Sequence, residues 1–184
     1  QIITVDDTTD PTVTAPTATS LECASDIPAA VTTITAFNSL NGASASDNCT
    51  ATNLTVTSST GAIVGNTYNG TITRTYTITD DCGNSTDVNH IFNINDSTAP
   101  TASCQDYTLI LGPGGTGNIS HLLIDNGSTD NCGSVSFALS KTAFDCTDLG
   151  TNSVTLTVTD SNGNSSSCTS TITVVDVTAP TVTC

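Results

Sequence analysis

An internal repeat constrains this 184-residue sequence more than any other feature. A strand-like run ending in Asp, followed by a short stretch ending in Pro, occurs three times: ITVDDTTDPTV at 3–13, FNINDSTAPTA at 92–102 and TVVDVTAPTV at 173–182. A second phrase keeps the same register, with SDNCT at 46–50 matching TDNCG at 129–133. Two independent phrases in the same order predict two homologous domains.

The repeat also predicts the domain boundaries. The first repeat spans 11–96 and the second spans 97–176. Residues 1–10 match the last strand of a preceding repeat and its linker, and 177–184 match the first strand of a following repeat. We therefore expect an internal slice of a longer protein.

Period-two alternation dominates within each repeat. Val154, Leu156 and Val158 alternate with threonines, and turn sequences such as SNGNS at 161–165 separate such runs. Short alternating strands with regular turns predict an all-β fold of two tandem immunoglobulin-like β-sandwich domains. Arg74 shares the parity of the apolar face, and we expect it at a sheet edge rather than paired with a carboxylate.

The charge balance excludes some classes of partner. The sequence has one Lys, one Arg and 17 acidic residues, which give a formal net charge of −15. Nucleic-acid binding requires clustered cations, and an anionic membrane surface would repel this chain. No apolar run approaches the roughly 20 residues of a membrane-spanning helix. Cations, by contrast, are expected to be attracted.

Eight cysteines in 184 residues predict an oxidising compartment. Zinc knuckles require closely paired cysteines in a C-x2-C pattern, and the sequence contains none. Disulfides are therefore the favoured interpretation over metal thiolates.

These phrases resemble a known class of repeat. The pattern TDNCG…TVTDSNGNSSSC…TITVVDVTAPT of the second repeat resembles the HYR-like, immunoglobulin-fold repeats of very large Bacteroidota surface proteins. The LEC…SDNC…TITRTYTITDDCGNS pattern of the first repeat looks like a sister variant. The resemblance covers nearly the whole chain. It implies an extracellular, cell-surface stalk or adhesin of the gliding-motility type, exported by the type IX secretion system.

A sandwich with the usual strand order suggests a disulfide pattern. Cys104 opens the first strand of the second repeat and Cys168 opens the last, and because such strands run parallel and adjacent we predict a Cys104–Cys168 bridge. Cys132 and Cys146 then pair by elimination, although four cysteines allow three connectivities. The first repeat holds three cysteines, Cys23, Cys49 and Cys82. Two of them can pair with each other, and the sequence does not say which one is left over.

Acidic residues at the predicted loops and junctions suggest a calcium site. We expect linker residue Asp96 to converge with Asp130 and Asp160 on one hard cation, because calcium accepts six to eight oxygen ligands in flexible geometry. The matching candidates in the first repeat are Asp10, Asp47 and Asp80. The alternative is that these carboxylates only cap turns, with no ion. No other cofactor is expected.

The family resemblance also suggests sugar attachment. Bacteroidota commonly attach sugars within a three-residue motif: an Asp, then the modified Ser or Thr, then a small residue. DTT at 7–9 and DST at 96–98 fit this motif and predict glycans on Thr8 and Ser97. Several N-x-S/T sequons also occur, but they matter only with a eukaryotic-type transferase.

Catalysis is not expected. His90 and His121, the two histidines, lie in no recognisable nucleophile or metalloprotease motif, and we expect both on the surface. We predict a structural spacer of a long surface adhesin or extracellular filament, with neighbouring repeats as its partners. The alternative is a module that binds glycans or surfaces, and a further one is assembly with other filament subunits. Three Tyr and four Phe residues are few for a carbohydrate platform.

Overall fold

The computed structural model describes residues 6–49 and 53–179. Contacts divide the chain into two compact units, Gln1–Asp96 and Ser97–Cys184, called unit 1 and unit 2 below. Strands dominate both units, so the all-β prediction is confirmed. The flanking strands predicted within 1–10 and 177–184 fall largely outside the described residues and stay predictions.

Unit 1 is an immunoglobulin-like β-sandwich. Its elements are β1 (Thr12–Thr14), β2 (Thr19–Leu21), α1 (Ile34–Asn38), β3 (Ser44–Ser46), β4 (Thr55–Thr60), β5 (Val64–Gly65), β6 (Asn69–Thr79) and β7 (Ser85–Asn95). One sheet has the order β2-β7-β6-β4, with β5 beside β6, and β1 pairs with β3 in the other sheet. The short β2 runs parallel to β7, while β6 and β7 form a long antiparallel hairpin.

Alternation along the β6–β7 hairpin forms the core of unit 1. Ile72, Tyr76 and Ile78 are buried on the inner face of β6, and the threonines between them face outward. Helix α1 adds Phe37, which is fully buried and meets the Tyr76 ring edge-on at a centroid distance of 5.4 Å. Thr33 caps the N-terminus of the helix, and its side-chain oxygen accepts the Ala36 N–H at 3.2 Å.

Arg74 is part of this core, and the expectation of an edge position is wrong. It lies on β6, between β7 and β4, with 5% of its surface exposed. Its Nε donates to Thr60 Oγ1 at 3.0 Å and its Nη2 donates to the Pro28 carbonyl at 2.8 Å. The guanidinium also lies 5.2 Å from the centroid of the Phe92 ring. Neutral oxygens and an aromatic face therefore satisfy this cation inside the sandwich.

His90 is also buried, which corrects the expectation of a surface histidine. It lies opposite Arg74 in the β6–β7 ladder. Its side chain faces the core because it alternates in step with the buried Phe92 and Ile94 along β7. Its Nε2 lies 2.9 Å from Thr19 Oγ1, a hydrogen bond that connects β7 to β2. Its ring packs on Phe92 with centroids 4.2 Å apart.

This burial predicts that unit 1 loses stability in mild acid. Burial, and then the positive charge of Arg74, lower the pKa of His90 from the ordinary 6.5. Because the folded pKa is lower than the unfolded one, the stabilisation is fully present above about pH 6.5 and is lost as the pH falls below that value. We expect the denaturant midpoint of unit 1 to fall between pH 7 and pH 5. In His90→Gln this dependence should disappear, and an unchanged slope in that variant would contradict the assignment.

Unit 2 repeats the architecture. Its elements are β8 (Tyr107–Ile110), β9 (Thr116–Asn118), α2 (His121–Ile124), β10 (Ser136–Leu139), β11 (Ala143–Asp145), β12 (Gly150–Thr159) and β13 (Ser165–Val175). One sheet has the order β10-β12-β13-β8, and β11 pairs with β9 in the other sheet. As in unit 1, the early strand β8 runs parallel to the last strand, β13. His121 begins α2, where it is half-buried and stacks on Phe137.

Unit 2 contains the Cys104–Cys168 disulfide, with 5.8 Å between the two Cα atoms. The bridge connects the segment before β8 to β13, and it lies beside the buried apolar residues of β12 and β13. Val154, Leu156 and Ile172 are fully buried there. The parallel pairing of the early and last strands brings the two cysteines together.

The other predicted pairings are wrong. Cys146 keeps a free thiol, so it does not pair with Cys132. Its Sγ lies 3.5 Å from the Gly115 carbonyl, and the 3-10 turn Cys146–Asp148 leads into the start of β12. Cys132 lies near the opposite end of that ten-residue strand, roughly 30 Å away along it. In unit 1, Cys49 and Cys82 are both free thiols, so no disulfide joins any two of Cys23, Cys49 and Cys82.

Candidate functional site

The most concentrated chemistry in unit 1 is a group of three carboxylates at its N-terminal end, where segment 6–11 meets turn 80–84. Asp7, Asp47 and Asp80 each place a carboxylate oxygen within 4.8 Å of the other two. These residues come from three separate segments: the chain before β1, the loop after β3, and the turn between β6 and β7. We call this group the acidic cluster.

Asp80 organises the turn of the long hairpin. Its Oδ1 accepts the N–H groups of Cys82 and Asn84, each at 2.9 Å, and its Oδ2 accepts Asn84 Nδ2 at 2.8 Å. These hydrogen bonds, led by the one from the Asn84 side chain, lower the pKa of Asp80 below its ordinary value. The carboxylate therefore stays ionised at neutral pH while it caps the turn.

Asp7 connects the incoming chain to the same turn. Its Oδ1 accepts the Thr9 N–H at 3.0 Å, and its carbonyl oxygen accepts Asn84 Nδ2 at 2.9 Å. The Thr9 N–H and then the Cys49 thiol lower the pKa of Asp7. Nearby, Thr86 Oγ1 donates to the Pro11 carbonyl at 2.7 Å, which fixes the segment against β7.

Asp47 completes the acidic cluster from the loop after β3. Its Oδ2 accepts the Cys49 N–H at 2.9 Å. Arg74 is the nearest basic residue in the sequence of unit 1, but it lies six positions before Asp80 along β6, roughly 20 Å away. No Lys or Arg of unit 1 therefore balances the charge of the acidic cluster.

The structure brings two of the three first-repeat candidates together. Asp47 and Asp80 join the acidic cluster, but Asp10 does not: it is exposed, and Asp7 takes its place. The reason is the repeat register, since Asp7 precedes Pro11 by four residues, as Asp96 precedes Pro100. Counting back from the prolines would have selected Asp7 from the sequence.

The second-repeat candidates are placed on equivalent elements. Asp160 caps the β12–β13 turn as Asp80 does in unit 1, with its Oδ1 accepting the N–H groups of Asn162, Gly163 and Asn164. Asp130 Oδ2 accepts the Cys132 N–H at 2.8 Å, and its Oδ1 is buried with no hydrogen-bond partner among the described residues.

Asp96 follows β7 at the end of unit 1. It is 2% exposed, and its N–H donates to the Tyr68 carbonyl at 2.8 Å. The convergence of Asp96 with Asp130 and Asp160 stays a prediction.

The two predicted glycosylation positions are accessible. Thr8 and Ser97 are both exposed, one beside the acidic cluster and one at the start of unit 2. Attachment of sugars there stays a prediction.

Unit 2 has a shallow depression on its surface. It holds about 130 Å³ and is lined by Asp106, Tyr107, Thr108, Thr171 and Thr173. Ligand pockets usually enclose roughly 300–1,000 Å³. The depression is therefore too small for a typical small-molecule site.

Comparisons with known proteins give only distant structural similarity. No family model and no curated protein matches the chain. Drosophila N-cadherin EC1-4 is similar at 11% identity and a TM-score of 0.39, over 91% of this chain and 50% of that one. The extracellular domain of protocadherin GammaB4 is similar at 14% identity and a TM-score of 0.35, over 90% of this chain and 32% of that one. Similarity this low does not show a shared function.

The chain spans half or less of the length of those two structures. Among the described residues, no helix has the length and hydropathy needed to cross a membrane.

Proposed function

We propose that this chain is a spacer segment of a long extracellular adhesin or filament, in which β-sandwich repeats supply length. The observation that carries the proposal is where the chain enters and leaves unit 1. Asp7 meets the turn at the start of β7, whereas Asp96 follows the last residue of that strand. Eleven residues of β7 separate the two positions by roughly 33 Å. Each such unit carries the chain forward by about one strand length.

Unit 2 has the same arrangement. Ser166 Oγ donates to the Pro100 carbonyl at the start of β13, and the chain leaves after Val175 at the other end of that eleven-residue strand. The repeated sequence phrase comes at both exits, after β7 and after β13. A net charge of −15 favours solubility of such a fibre, and a disulfide suits an extracellular location.

A glycan- or surface-binding module is the second candidate function. Its best support is Tyr107, which is half-buried beside the small depression on unit 2. Tyr76, by contrast, is 1% exposed and cannot stack on a sugar. The scarcity of exposed aromatic rings therefore favours the spacer.

Electron microscopy of the native full-length protein tests the spacer function. We expect a string of beads whose contour length grows by about 35–40 Å per repeat, set by the eleven-residue strands. A single compact particle would contradict it. A glycan array tests the second candidate: binding that is lost in Tyr107→Ala and retained in Tyr68→Ala would favour a module over a spacer.

Calcium binding at the acidic cluster is part of this proposal. The donor set fits a hard cation, because carboxylate oxygens from three segments lie within 4.8 Å of one another and no Lys or Arg of unit 1 balances them. A cation there would fix segment 6–11 to the loops of unit 1. The turn-capping role of Asp80 is compatible with this, since carboxylates provide several acceptor sites.

Chelation tests the calcium proposal. Calcium at tenfold excess over its dissociation constant should raise the unfolding temperature of unit 1 by about 6–11 °C relative to EDTA. Asp47→Asn should abolish that shift, whereas Asp10→Asn, a matched exposed acid outside the acidic cluster, should retain it. Equal melting temperatures in calcium and EDTA would remove calcium from the proposal.

Glycosylation of Thr8 and Ser97 belongs to the same extracellular role. Sugars on these exposed residues would cover the segments that adjoin each unit. The intact mass of protein from the native host should exceed the sequence mass, and Thr8→Ala and Ser97→Ala should each lower it by one glycan. A native mass equal to that of the bare chain would contradict the modification.

A further inference from the structure

The sequence contains four Asn-Gly pairs, and this is the dipeptide in which asparagine most readily loses its side-chain amide. The pairs begin at Asn41, Asn69, Asn126 and Asn162. In this reaction the glycine nitrogen attacks the asparagine side chain, and glycine has no side chain of its own to block the approach. Because all four pairs have the same chemistry, the folded structure decides which of them reacts.

Two of the pairs are held by hydrogen bonds of the long hairpins. The Gly163 N–H donates to Asp160 Oδ1 at 2.6 Å, so the attacking nitrogen of the pair at Asn162 is already engaged in the β12–β13 turn. Gly70 lies within β6, which pairs with β7 on one side of it and with β5 on the other. Both glycines can react only after local opening of a hairpin.

The pair at Asn41 is exposed but lies in a tight turn after α1. The Ala43 N–H donates to the Leu40 carbonyl at 3.0 Å, which closes the turn around Asn41 and Gly42. The Asn41 carbonyl also accepts the Thr17 N–H at 2.8 Å. Ring closure requires the asparagine backbone to rotate until its side-chain carbonyl carbon meets the next nitrogen, and these two hydrogen bonds oppose that rotation.

The pair at Asn126 is the most accessible of the four. Asn126 and Gly127 are both exposed, in the loop between α2 and β10. Among the described residues, neither the Asn126 side chain nor the Gly127 N–H has a hydrogen-bond partner. Apart from the chain neighbours of Gly127, no heavy atom lies within 4 Å of the point where its Cβ would stand. Nothing therefore obstructs the approach of the two reacting groups.

Hydrogen bonds hold the loop on both sides of this pair. Asp125 Oδ1 accepts the Ser128 N–H at 3.1 Å, and the Asn126 N–H donates to the Ser103 carbonyl at 2.9 Å. The peptide unit between Asn126 and Gly127 makes neither of these hydrogen bonds. It can therefore rotate within a loop that stays attached to unit 2.

We propose that Asn126 is a site of spontaneous deamidation, which converts this loop to an aspartate or isoaspartate form as the protein ages. The Gly127 nitrogen loses its proton and attacks Cγ of Asn126. A bond forms between that nitrogen and Cγ, the bond from Cγ to Nδ2 breaks, and ammonia leaves. Water then opens the five-membered imide at one of its two carbonyls, which gives aspartate or isoaspartate without any change of oxidation state.

The products differ from Asn126 in charge and in backbone. The new carboxylate adds one negative charge to the formal −15 of the chain. Isoaspartate also adds one carbon to the main chain between the hydrogen bonds that Asn126 and Ser128 make to Ser103. Ser103 immediately precedes Cys104 of the disulfide. The modification therefore alters how this loop holds the first segment of unit 2.

Peptide mapping of the full 184-residue chain tests the proposal. The folded chain is incubated at neutral pH in water enriched in heavy oxygen, which labels every carboxylate formed from an imide, and is then digested in mild acid for mass spectrometry. We expect labelled product at Asn126 to accumulate at least about tenfold faster than at Asn69 and Asn162, because those pairs must first break hydrogen bonds. The rate should rise with pH, because the attacking nitrogen must lose its proton.

The unfolded chain and two variants are the controls. In guanidinium with the disulfide reduced, the rates at the four pairs should converge. Asn126→Gln should abolish the fast reaction of the folded chain, because glutamine must form a six-membered ring, whereas Asn41→Gln should leave the reaction unchanged. The proposal is overturned if Asn126 stays unmodified in the folded chain while it reacts in the unfolded one, or if Asn126 and Asn162 react equally fast in the folded chain.

Discussion

Replacing Phe92 with alanine is expected to lower the free energy of unfolding of unit 1 by about 4 kcal/mol, the range for deleting a buried aromatic ring. Phe92 is fully buried on β7 and packs with Ile72 and Ile94. Its ring also lies under the guanidinium of Arg74 and against His90. The substitution therefore leaves a cavity and removes the aromatic face that stabilises the buried guanidinium of Arg74.

Hydrogen exchange followed by mass spectrometry measures this effect unit by unit. Peptides from the β6–β7 hairpin should exchange faster in Phe92→Ala, by a factor on the order of 10² to 10³ if they open by global unfolding of unit 1. Ile91→Ala is the matched control, because Ile91 is the preceding residue of the same strand and is 40% exposed on the outer face. Equal losses in the two variants would contradict the assigned core.

Removing the Cys104–Cys168 disulfide is expected to destabilise unit 2 by roughly 4 kcal/mol. The two cysteines are 64 residues apart, and the stabilisation follows from the loop entropy that the bond removes from the unfolded chain. Typical domain stabilities are about 5–15 kcal/mol, so the loss is a large fraction of the total. The double variant Cys104→Ser, Cys168→Ser should have a much lower denaturant midpoint in unit 2.

The control for this prediction is Cys146→Ser. Cys146 is an exposed free thiol of the same unit, and its replacement should change stability by less than about 0.5 kcal/mol. The measurement is near-ultraviolet circular dichroism during denaturant unfolding. Tyr107 reports on the packing of unit 2, and Tyr68 and Tyr76 report on unit 1. Unchanged unit 2 stability in the double serine variant would show that packing alone holds the sandwich together.

Much of the fold could be predicted because the relevant signals are local. Alternation in Val154, Leu156 and Val158 predicted a buried face, and all three side chains are fully buried. The parity of Arg74 also indicates an inward side chain, but parity does not show what surrounds it, and the sequence favoured a sheet edge over a paired carboxylate. Its actual partners are the Pro28 carbonyl, Thr60 and the Phe92 ring, and no sequence period marks such a set.

The candidate site was predicted only in part. Asp47 and Asp80 are predicted because they match Asp130 and Asp160 of the second repeat in loops at one end of the domain, and the fold does bring them together. Asp7 was missed in favour of Asp10, although the two lie three residues apart. Hydrogen bonds from Thr9 and Asn84 fix Asp7 against the turn, and those partners are visible only once segment 6–11 is seen beside β7.

The sequence by itself determined where strands and turns form and which way most side chains face, because alternation and Asp-capped turns depend on residues a few positions apart. The tertiary structure decided which cysteines meet, which aspartates share a location, and how Arg74 and His90 are accommodated in the core. Those outcomes depend on distances between segments far apart in the chain, which only the packing of one sheet on another sets.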